Sequence, residues 1–239
     1  VHISDLHLST FDDSPERLET FVEEINRHHP DIVCFTGDMV TLGRSEAEPY
    51  TEILRKISAK HGVLSVLGNH DFMIYRFKQD SNREIAVEEF AEYQEKVLGW
   101  NLLRNENTVI KSEDGSKLTF LGVDNANFGN QGFPTIHQGD LKKAMEGTDG
   151  FRILLSHDPS HWRAEVLSET DIPLTLSGHT HSAQIRIFGW TPAKWTFKEI
   201  AGRYDNEGQT LYINVGLGCT APFRIGVNPE ITVITLNRE

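Results

Sequence analysis

Five short apolar runs in this chain of 239 residues each end in a polar side chain, and this arrangement restricts the folds that the chain can adopt. The runs are rich in Val, Ile, Leu and Phe, which is typical of buried strands. In chain order they are "VHISD", "DIVCFTGD", "GVLSVLGNHD", "FRILLSH" and "IPLTLSGHTH". Segments with helical spacing of apolar residues separate the early runs, so the first half is predicted to alternate strand and helix.

The second half is expected to contain mainly strands. From about Leu118 the chain shows short runs separated by turn residues, among them "KLTFLGVD", "QIRIFGW", "QTLYINVG" and "EITVITLN". The stretch "YDNEGQ" predicts a hairpin turn. Two sheets packed face to face, with helices outside, accommodate both halves. Because no linker or low-complexity segment divides the chain, residues 1–239 are predicted to form one domain.

Side chains that can bind metal follow each of the five runs. Carboxyl ends of parallel strands meet at one edge of a sheet, where ligand sites gather, so we expect these side chains to lie together. In an extended segment, residues i and i+2 point to the same side. Gly37, Gly68 and Gly178 precede members of the set, which fits tight turns beside the site. The set consists of Asp5, His7, Asp38, Asn69, His70, His157, His179 and His181.

The chemistry of this set indicates divalent cations. Imidazole, carboxylate and amide oxygen, without thiolate, suit manganese, iron or zinc. Even seven of these eight side chains are too many ligands for one ion, and they suit two ions that share a bridging carboxylate and a bridging water. Any single residue, such as Asp38 after its strand, has an alternative interpretation as a turn former. The complete set favours a two-metal site.

The overall charge narrows the choice of partner. A formal net charge of −12 argues against sequence-independent binding of nucleic acid. A phosphorylated substrate remains compatible, because bound cations reverse the local field. The chain opens at Val1 inside a predicted strand, so we expect an upstream segment that carries a hydrophobic anchor or a signal. The localisation therefore stays open between cytoplasmic and membrane-associated, and so does the oligomeric state.

The ordered blocks "SDLH", "GD", "GNHD", "SH" and "GHTH", from Asp5 to His181, resemble those of the calcineurin-like metallophosphoesterases. The closing stretch "NPEITVITL" is similar to the end of that fold. The resemblance implies an α+β fold of the metallo-dependent phosphatase type. In it, helices flank two mixed β-sheets in a four-layer αββα sandwich, with a metal pair at the strand ends.

The resemblance also implies a role for each residue. Asp38 is the ligand that bridges the two metals. His70 is the general acid for the leaving group, and Asp71 is expected to orient His70. The other ligands of the first metal are Asp5, His7 and His181, and those of the second metal are Asn69, His157 and His179.

These roles predict a metal-dependent hydrolase of phosphate esters, with phosphodiester or pyrophosphate bonds favoured over monoesters. A metal-bridging hydroxide attacks phosphorus while His70 protonates the leaving group. The bacterial branch that the chain most resembles often carries a membrane segment at the amino terminus, and it includes enzymes that act on phospholipid-like or UDP-acylglucosamine diphosphate substrates. A lipid-linked or nucleotide-linked substrate and a membrane surface are therefore the expected partners. A metal-dependent nuclease, a phosphoprotein phosphatase and a non-catalytic scaffold of this fold are the alternatives.

Two local features allow more than one interpretation. The segment "IFGWTPAKWTFK" is either an amphipathic lip for such substrates or a hairpin whose aromatic side chains pack on the sheet, and we expect the second. Similar sequences commonly have a basic residue before the glycine of "GLG", where this chain has Val215. Arg224 is the candidate to supply that charge to the phosphate.

Overall fold

The computed structural model describes residues 1–12, 14–77, 81–111 and 115–237. Two β-sheets lie between outer layers of helix, which confirms the layered α+β fold. The expectation that both sheets are mixed is wrong for the first sheet, in which all four strands are parallel and stand in the order β1-β2-β3-β4. These strands are β1 (His2–Ile3), β2 (Val33–Phe35), β3 (Val63–Ser65) and β4 (Asn101–Leu102).

The second sheet is mixed and has the order β5-β6-β7-β8-β10-β9. Its four central strands are parallel, and antiparallel partners close both edges. The hairpin predicted at "YDNEGQ" is confirmed, because β9 and β10 pair around a turn at Glu207 and Gly208. The strands are β5 (Glu106–Lys111), β6 (Lys117–Gly122), β7 (Arg152–Leu155), β8 (Leu174–Ser177), β9 (Gly202–Asn206) and β10 (Gln209–Ile213).

The helices begin and end where local chemistry favours it. Pro15 occupies the first turn of the first helix, and Gly99, with a φ of 73°, ends the third helical segment. The helices are α1 (Pro15–Arg27), α2 (Thr51–Leu54), α3 (Ser81–Glu92), which continues as a π-helix over Tyr93–Leu98, α4 (Leu141–Ala144) and α5 (Leu167–Glu169), which follows a π-helix over Trp162–Val166. Across the described ranges, no helix combines the length and hydrophobicity that crossing a bilayer requires.

Strand alternation distributes the core over three interfaces. Val33 and Phe35 of β2 pack with the helices, whereas Cys34 between them faces the other sheet. In β7, Ile153 and Leu155 fill the space between the sheets, and Leu154 packs against the outer helical layer. This period of two is what a strand covered on both faces requires.

Two of the predicted strands are wrong. "QIRIFGW" forms only isolated bridges, between Ile185 and Ile225 and between Ile187 and Trp190, because the chain turns sharply between the last two. "EITVITLN" contributes a single bridge, from Thr232 to His2. Strands β4 and β5 were not predicted. The β5 sequence "ENTVIK" lies at a sheet edge and is largely solvent-accessible, so it lacks the apolar run that marks a buried strand.

Candidate metal centre

The predicted ligands follow strands of both sheets and converge at one place. Three of the loops leave the first sheet after β1, β2 and β3, and two leave the second sheet after β7 and β8. All seven side chains are buried. These are Asp5, His7, Asp38, Asn69, His157, His179 and His181.

One cluster joins the first strand to the last ligand loop. Nε2 of His7 lies 3.2 Å from Nε2 of His181. Oδ1 of Asp5 lies 3.2 Å from the same His181 nitrogen and 3.9 Å from that of His7. Two imidazole nitrogens and a carboxylate oxygen therefore face a common point, as the ligands of one cation do.

A second cluster lies beside the first and draws on three other loops. Nε2 of His157 lies 3.2 Å from Nδ1 of His179 and 3.2 Å from Oδ1 of Asn69. Oδ2 of Asp38 lies 3.1 Å from the same His157 nitrogen. This group supplies two imidazoles, one carboxylate and one amide oxygen.

Asp38 lies between the two clusters. Its Oδ2 is 3.1 Å from Nε2 of His157 and 3.7 Å from Nε2 of His7, which belong to different clusters. Its Oδ1 accepts a hydrogen bond of 2.9 Å from the backbone N–H of His70. The carboxylate therefore occupies the position that a bridging ligand requires.

The donor set fits two divalent cations. Two pairs of buried imidazole nitrogens lie only 3.2 Å apart, so each pair can share a hydrogen or direct both lone pairs at one cation. Burial lowers the pKa of His7 to about 3, so its imidazole is neutral and available as a ligand at pH 7. Burial also lowers the pKa of His179. These neutral donors and the two carboxylates match manganese, iron or zinc chemistry.

Charge within the second cluster is strongly coupled. Burial alone lowers the pKa of His157, but the adjacent carboxylate of Asp38 outweighs it and raises that pKa to about 10. Burial likewise opposes ionisation of Asp38, yet the nearby imidazoles of His157 and His70 hold its pKa well below the usual range. The pocket therefore stabilises the ionised carboxylate of Asp38 beside a positive charge, and a bound cation would supply such a charge in the same place.

Left-handed backbone turns, rather than extended segments, bring the paired ligands together. The expectation that i and i+2 positions converge because they are extended is wrong. Asp5 and His7 have φ values of 50° and 39°, and His179 and His181 have 73° and 47°. Such values are uncommon for residues other than glycine, and they cluster at functional sites.

Glycines make room for the two carboxylates. A Cβ on Gly68 would lie 2.2 Å from Oδ1 of Asp38, and one on Gly178 would lie 2.3 Å from Oδ2 of Asp5. Gly216 was noted from the sequence only for the residue before it, and the sequence did not predict that a Cβ there would approach Cβ of Asp5 to 2.7 Å. The "GLG" stretch thus closes the wall of the first cluster.

His70 lies at the edge of the centre, partly exposed. Its Nδ1 donates to the carbonyl oxygen of Thr41 at 2.9 Å, since a carbonyl can only accept. Its ring meets that of His7 edge-on, with centroids 4.8 Å apart. One His70 nitrogen lies within 4.8 Å of ligand atoms of both His7 and Asp38. The structure therefore places this side chain beside the first cluster.

The structure does not support the expected contact between Asp71 and the His70 ring. The buried Asp71 carboxylate instead accepts hydrogen bonds from four backbone N–H groups, and Thr41 is the residue that holds His70. This arrangement joins the loops after β2 and β3, because the four donors are Asp38, Met39, Val40 and Gly68. Asp71 thereby positions the turn that carries Asp38.

Two further residues hold His179, and only one of them carried a sequence signal. Nε2 of His179 donates to Oε1 of Gln131 at 2.8 Å, which leaves Nδ1 to face His157. Asp158 accepts a hydrogen bond of 2.7 Å from Nε2 of Gln131 and fixes the orientation of that amide. Asp158 directly follows a predicted ligand, whereas Gln131 lies in a loop with no motif.

The hydrogen bonds of Arg224 in the described structure go to the "GLG" loop and to Cys219, and none goes to a predicted metal ligand. Its Nη2 donates to the carbonyl oxygens of Val215, Gly216 and Gly218, and its Nε donates to Sγ of Cys219. The guanidinium thus stabilises the "GLG" loop, and the expected contact with phosphate has no support in these bonds.

The chain resembles known proteins along most of its length. The model of the calcineurin-like phosphoesterase family matches residues 1–183. The chain is 33% identical to the uncharacterized metallophosphoesterase YkuE of Bacillus subtilis, over 99% of this chain and 78% of that protein. It is 28% identical to a Bos taurus transmembrane protein with a metallophosphoesterase domain, and it spans 52% of that protein's length.

A crystal structure gives the same fold at low sequence identity. The phosphopantetheinyl hydrolase of Mycobacterium tuberculosis superposes with a TM-score of 0.54 at 14% identity, covering 92% of this chain and 89% of that one. With the family match, the fold and the clusters in place, the chain belongs to the calcineurin-like phosphoesterase family. It is a metal-dependent phosphoesterase.

Proposed function

We propose that the chain uses two divalent cations to hydrolyse phosphate esters, with phosphodiester or pyrophosphate bonds favoured over monoesters. The observation that carries this proposal is the placement of Asp38, whose Oδ2 lies within 3.7 Å of imidazole nitrogens from both clusters. A carboxylate shared in this way is the signature of two-metal hydrolysis.

The two clusters divide the ligands. Asp5, His7 and His181 would hold one ion, and Asn69, His157 and His179 would hold the other, with Asp38 common to both. When bound, the ions supply an activated water and neutralise charge on the phosphoryl oxygens. The protein contributes a buried and preorganised pocket, because backbone N–H groups and Gln131 fix the carboxylates and imidazoles in advance.

His70 is proposed as the general acid. Its Nδ1 is engaged on the carbonyl of Thr41, so Nε2 is the nitrogen that carries the transferable proton. In the imidazolium form that proton passes to the oxygen of the departing group, and Nδ1 keeps its own hydrogen. The partial exposure of His70 at the rim supports this role, because a leaving group must depart into solvent.

The preference for diesters rests on charge. A monoester dianion needs more positive charge than a diester monoanion. Backbone carbonyls bind the Nη2 of Arg224, and among its nitrogens only the buried Nη1 has no hydrogen-bond partner in the described structure. Aromatic rings stand at the second cluster instead, since Phe133 and Phe197 lie 5.9 Å and 5.5 Å from the His179 ring. Such a wall suits a second, less polar substituent on phosphorus.

The test is a matched panel of bis-p-nitrophenyl phosphate, p-nitrophenyl phosphate and a pyrophosphate diester. Each is assayed with the metal-stripped protein before and after addition of manganese, iron or zinc. We expect hydrolysis only with metal, and faster turnover of the diester and the pyrophosphate than of the monoester. A monoester preference would overturn the substrate assignment, and activity without metal would overturn the mechanism.

A further inference from the structure

Exposed apolar side chains concentrate on one feature, the aromatic lip, which we define as residues 185–198 together with residues 223–226. Phe188 is 105% exposed and Trp195 is 80% exposed, so neither packs on the sheet and the expected packed hairpin is wrong. Single exposed apolar residues are normal, but a contiguous group marks an interaction site. The exposed members are Ile187, Phe188, Trp190, Trp195, Phe223 and Ile225.

Backbone contacts make the lip one continuous surface. The N–H of Arg186 donates to the carbonyl of Ile225 at 2.8 Å, which joins its two segments. Ile187 and Trp190 pair across a tight turn, and the rings of Trp190 and Trp195 meet edge-on at 5.5 Å. The apolar side chains therefore act together.

The tip of this turn is occupied by a residue that its conformation does not favour. Phe188 and Gly189 both have positive φ, of 50° and 80°. Two-residue turns of this kind prefer Asn, Asp or Gly at the first position. A fully exposed phenylalanine at this position stabilises neither the turn nor the core of the chain. Its ring is therefore available to contact a partner outside the chain. Aromatic rings at a turn tip suit the interfacial zone of a bilayer.

The charge of the lip identifies that partner. Between Gln184 and Lys198 the sequence contains Arg186, Lys194 and Lys198 but no Asp or Glu, although the whole chain carries a net charge of −12. These three cationic side chains are exposed. A local positive surface with aromatic side chains on a strongly acidic protein complements anionic lipid, because cationic side chains near such a surface are attracted to its head groups.

The lip is attached to the metal centre. It begins beyond the ligand His181, and the hydroxyl of Thr191 donates to the carbonyl of Ser182 at 2.6 Å. At its other end, the Phe197 ring meets the ring of the ligand His179 edge-on at 5.5 Å. A membrane that received Phe188 and Trp195 would therefore lie beside the clusters.

We propose that the chain docks on an anionic lipid surface through the aromatic lip and thereby presents its metal centre to phosphoesters held at that surface. The docking stands independently of the proposed function, and only the choice of a surface-held substrate rests on it. A free phosphoester in solution would need no such lip.

Vesicle co-sedimentation without any turnover tests the docking. The metal-loaded protein is mixed with vesicles of phosphatidylcholine alone or of an equimolar mixture with phosphatidylglycerol. We expect binding to the mixed vesicles, weakened about tenfold or more in Phe188→Ser/Trp195→Ser, because two large apolar side chains leave the interface. Lys194→Gln/Lys198→Gln should reduce both the binding and its dependence on salt.

The matched control is Phe151→Ser. Phe151 is 46% exposed but precedes β7, at the end of that strand opposite His157. It should bind vesicles like the unaltered chain, and metal content and thermal midpoint confirm that each variant is folded. Equal binding by the lip variant and the unaltered chain would overturn the docking. Absence of vesicle binding by the unaltered chain would also overturn the docking, even if sedimentation showed that the lip mediates self-association instead. If the unaltered chain bound vesicles but hydrolysed no phosphoester in a separate assay, only the proposed function would be contradicted.

Discussion

Oδ2 of Asp38 lies 3.1 Å from Nε2 of His157, although the two residues follow strands of different sheets. The packing of the two sheets against each other brings these two side chains into contact at the site. The other oxygen of the same carboxylate accepts from the N–H of His70. One side chain thus sets the distance between the ligand clusters and the position of the proposed acid.

His70→Asn should reveal the general acid through its dependence on the leaving group. A p-nitrophenolate needs little protonation, whereas an alkoxide needs a proton as it departs. We therefore expect a loss of roughly 10²–10⁴-fold on alkyl esters and a much smaller loss on p-nitrophenyl esters. Steady-state kinetics on both substrates provides the measurement. Equal losses would assign His70 to phosphate positioning, and a lost ion would make it a metal ligand.

Gly68→Ala should disable the centre through a steric contact. The added Cβ would lie 2.2 Å from Oδ1 of Asp38, so the carboxylate has to move. Misplacement of about 1 Å costs on the order of 10²-fold in turnover. Gly62→Ala is the control for a glycine substitution without a steric contact, because a Cβ there would meet no atom within 4 Å, and any strain from the positive φ of Gly62 lies outside the metal centre. Similar activity of the two variants would show that the space beside Asp38 is unimportant.

Gln131→Ala should weaken metal binding without changing a ligand. The variant removes the acceptor of the His179 Nε2 hydrogen, so the tautomer that presents Nδ1 to the second cluster is no longer fixed. Loss of such a partner typically costs about 10–100-fold in metal affinity. Competition with a chelator measures this affinity. An unaffected Gln131→Ala protein would exclude a positioning role.

His2→Gln should flatten the pH dependence of stability in the metal-free protein. Burial lowers the pKa of His2 to about 3, while the unfolded chain has the ordinary value near 6.5. Between these values the unfolded state binds the extra proton, so stability falls as pH falls, by about 1.4 kcal/mol per pH unit. Urea unfolding at pH 7.5 and pH 5 measures the change. The variant should lose less stability over this interval; an identical slope would contradict the assigned pKa.

The fold and the location of the site could be predicted from the sequence because the side chains that can bind metal come directly after the strands of this chain. Each of the five apolar runs ends at a side chain that can bind metal, and parallel strands bring those ends to one edge. The structure accordingly brings together all seven predicted ligands. Their division between two ions came from the resemblance and stays a prediction.

Other features depend on tertiary context that local patterns do not encode. Asp5 and His179 adopt positive φ values, a backbone conformation that favours glycine and that their side chains alone do not predict. Gln131 lies in a loop without a motif, yet it contacts His179. The apolar pattern around Phe188 is the same for a packed hairpin and for an exposed lip, so only the three-dimensional neighbours distinguish the two.

Metal stoichiometry in the unaltered chain and in Asp38→Asn tests the central claim most directly. The protein is loaded with manganese, freed of excess ion and analysed by mass spectrometry of its metals, with diester turnover measured on the same samples. Asn keeps an oxygen that can accept from the His70 N–H, so the fold should survive while the charged bridge is lost. We expect two ions per chain and active enzyme in the unaltered chain, with ion loss and abolished turnover in Asp38→Asn. A single ion per fully active chain, or near-normal turnover in Asp38→Asn, would contradict the two-metal account.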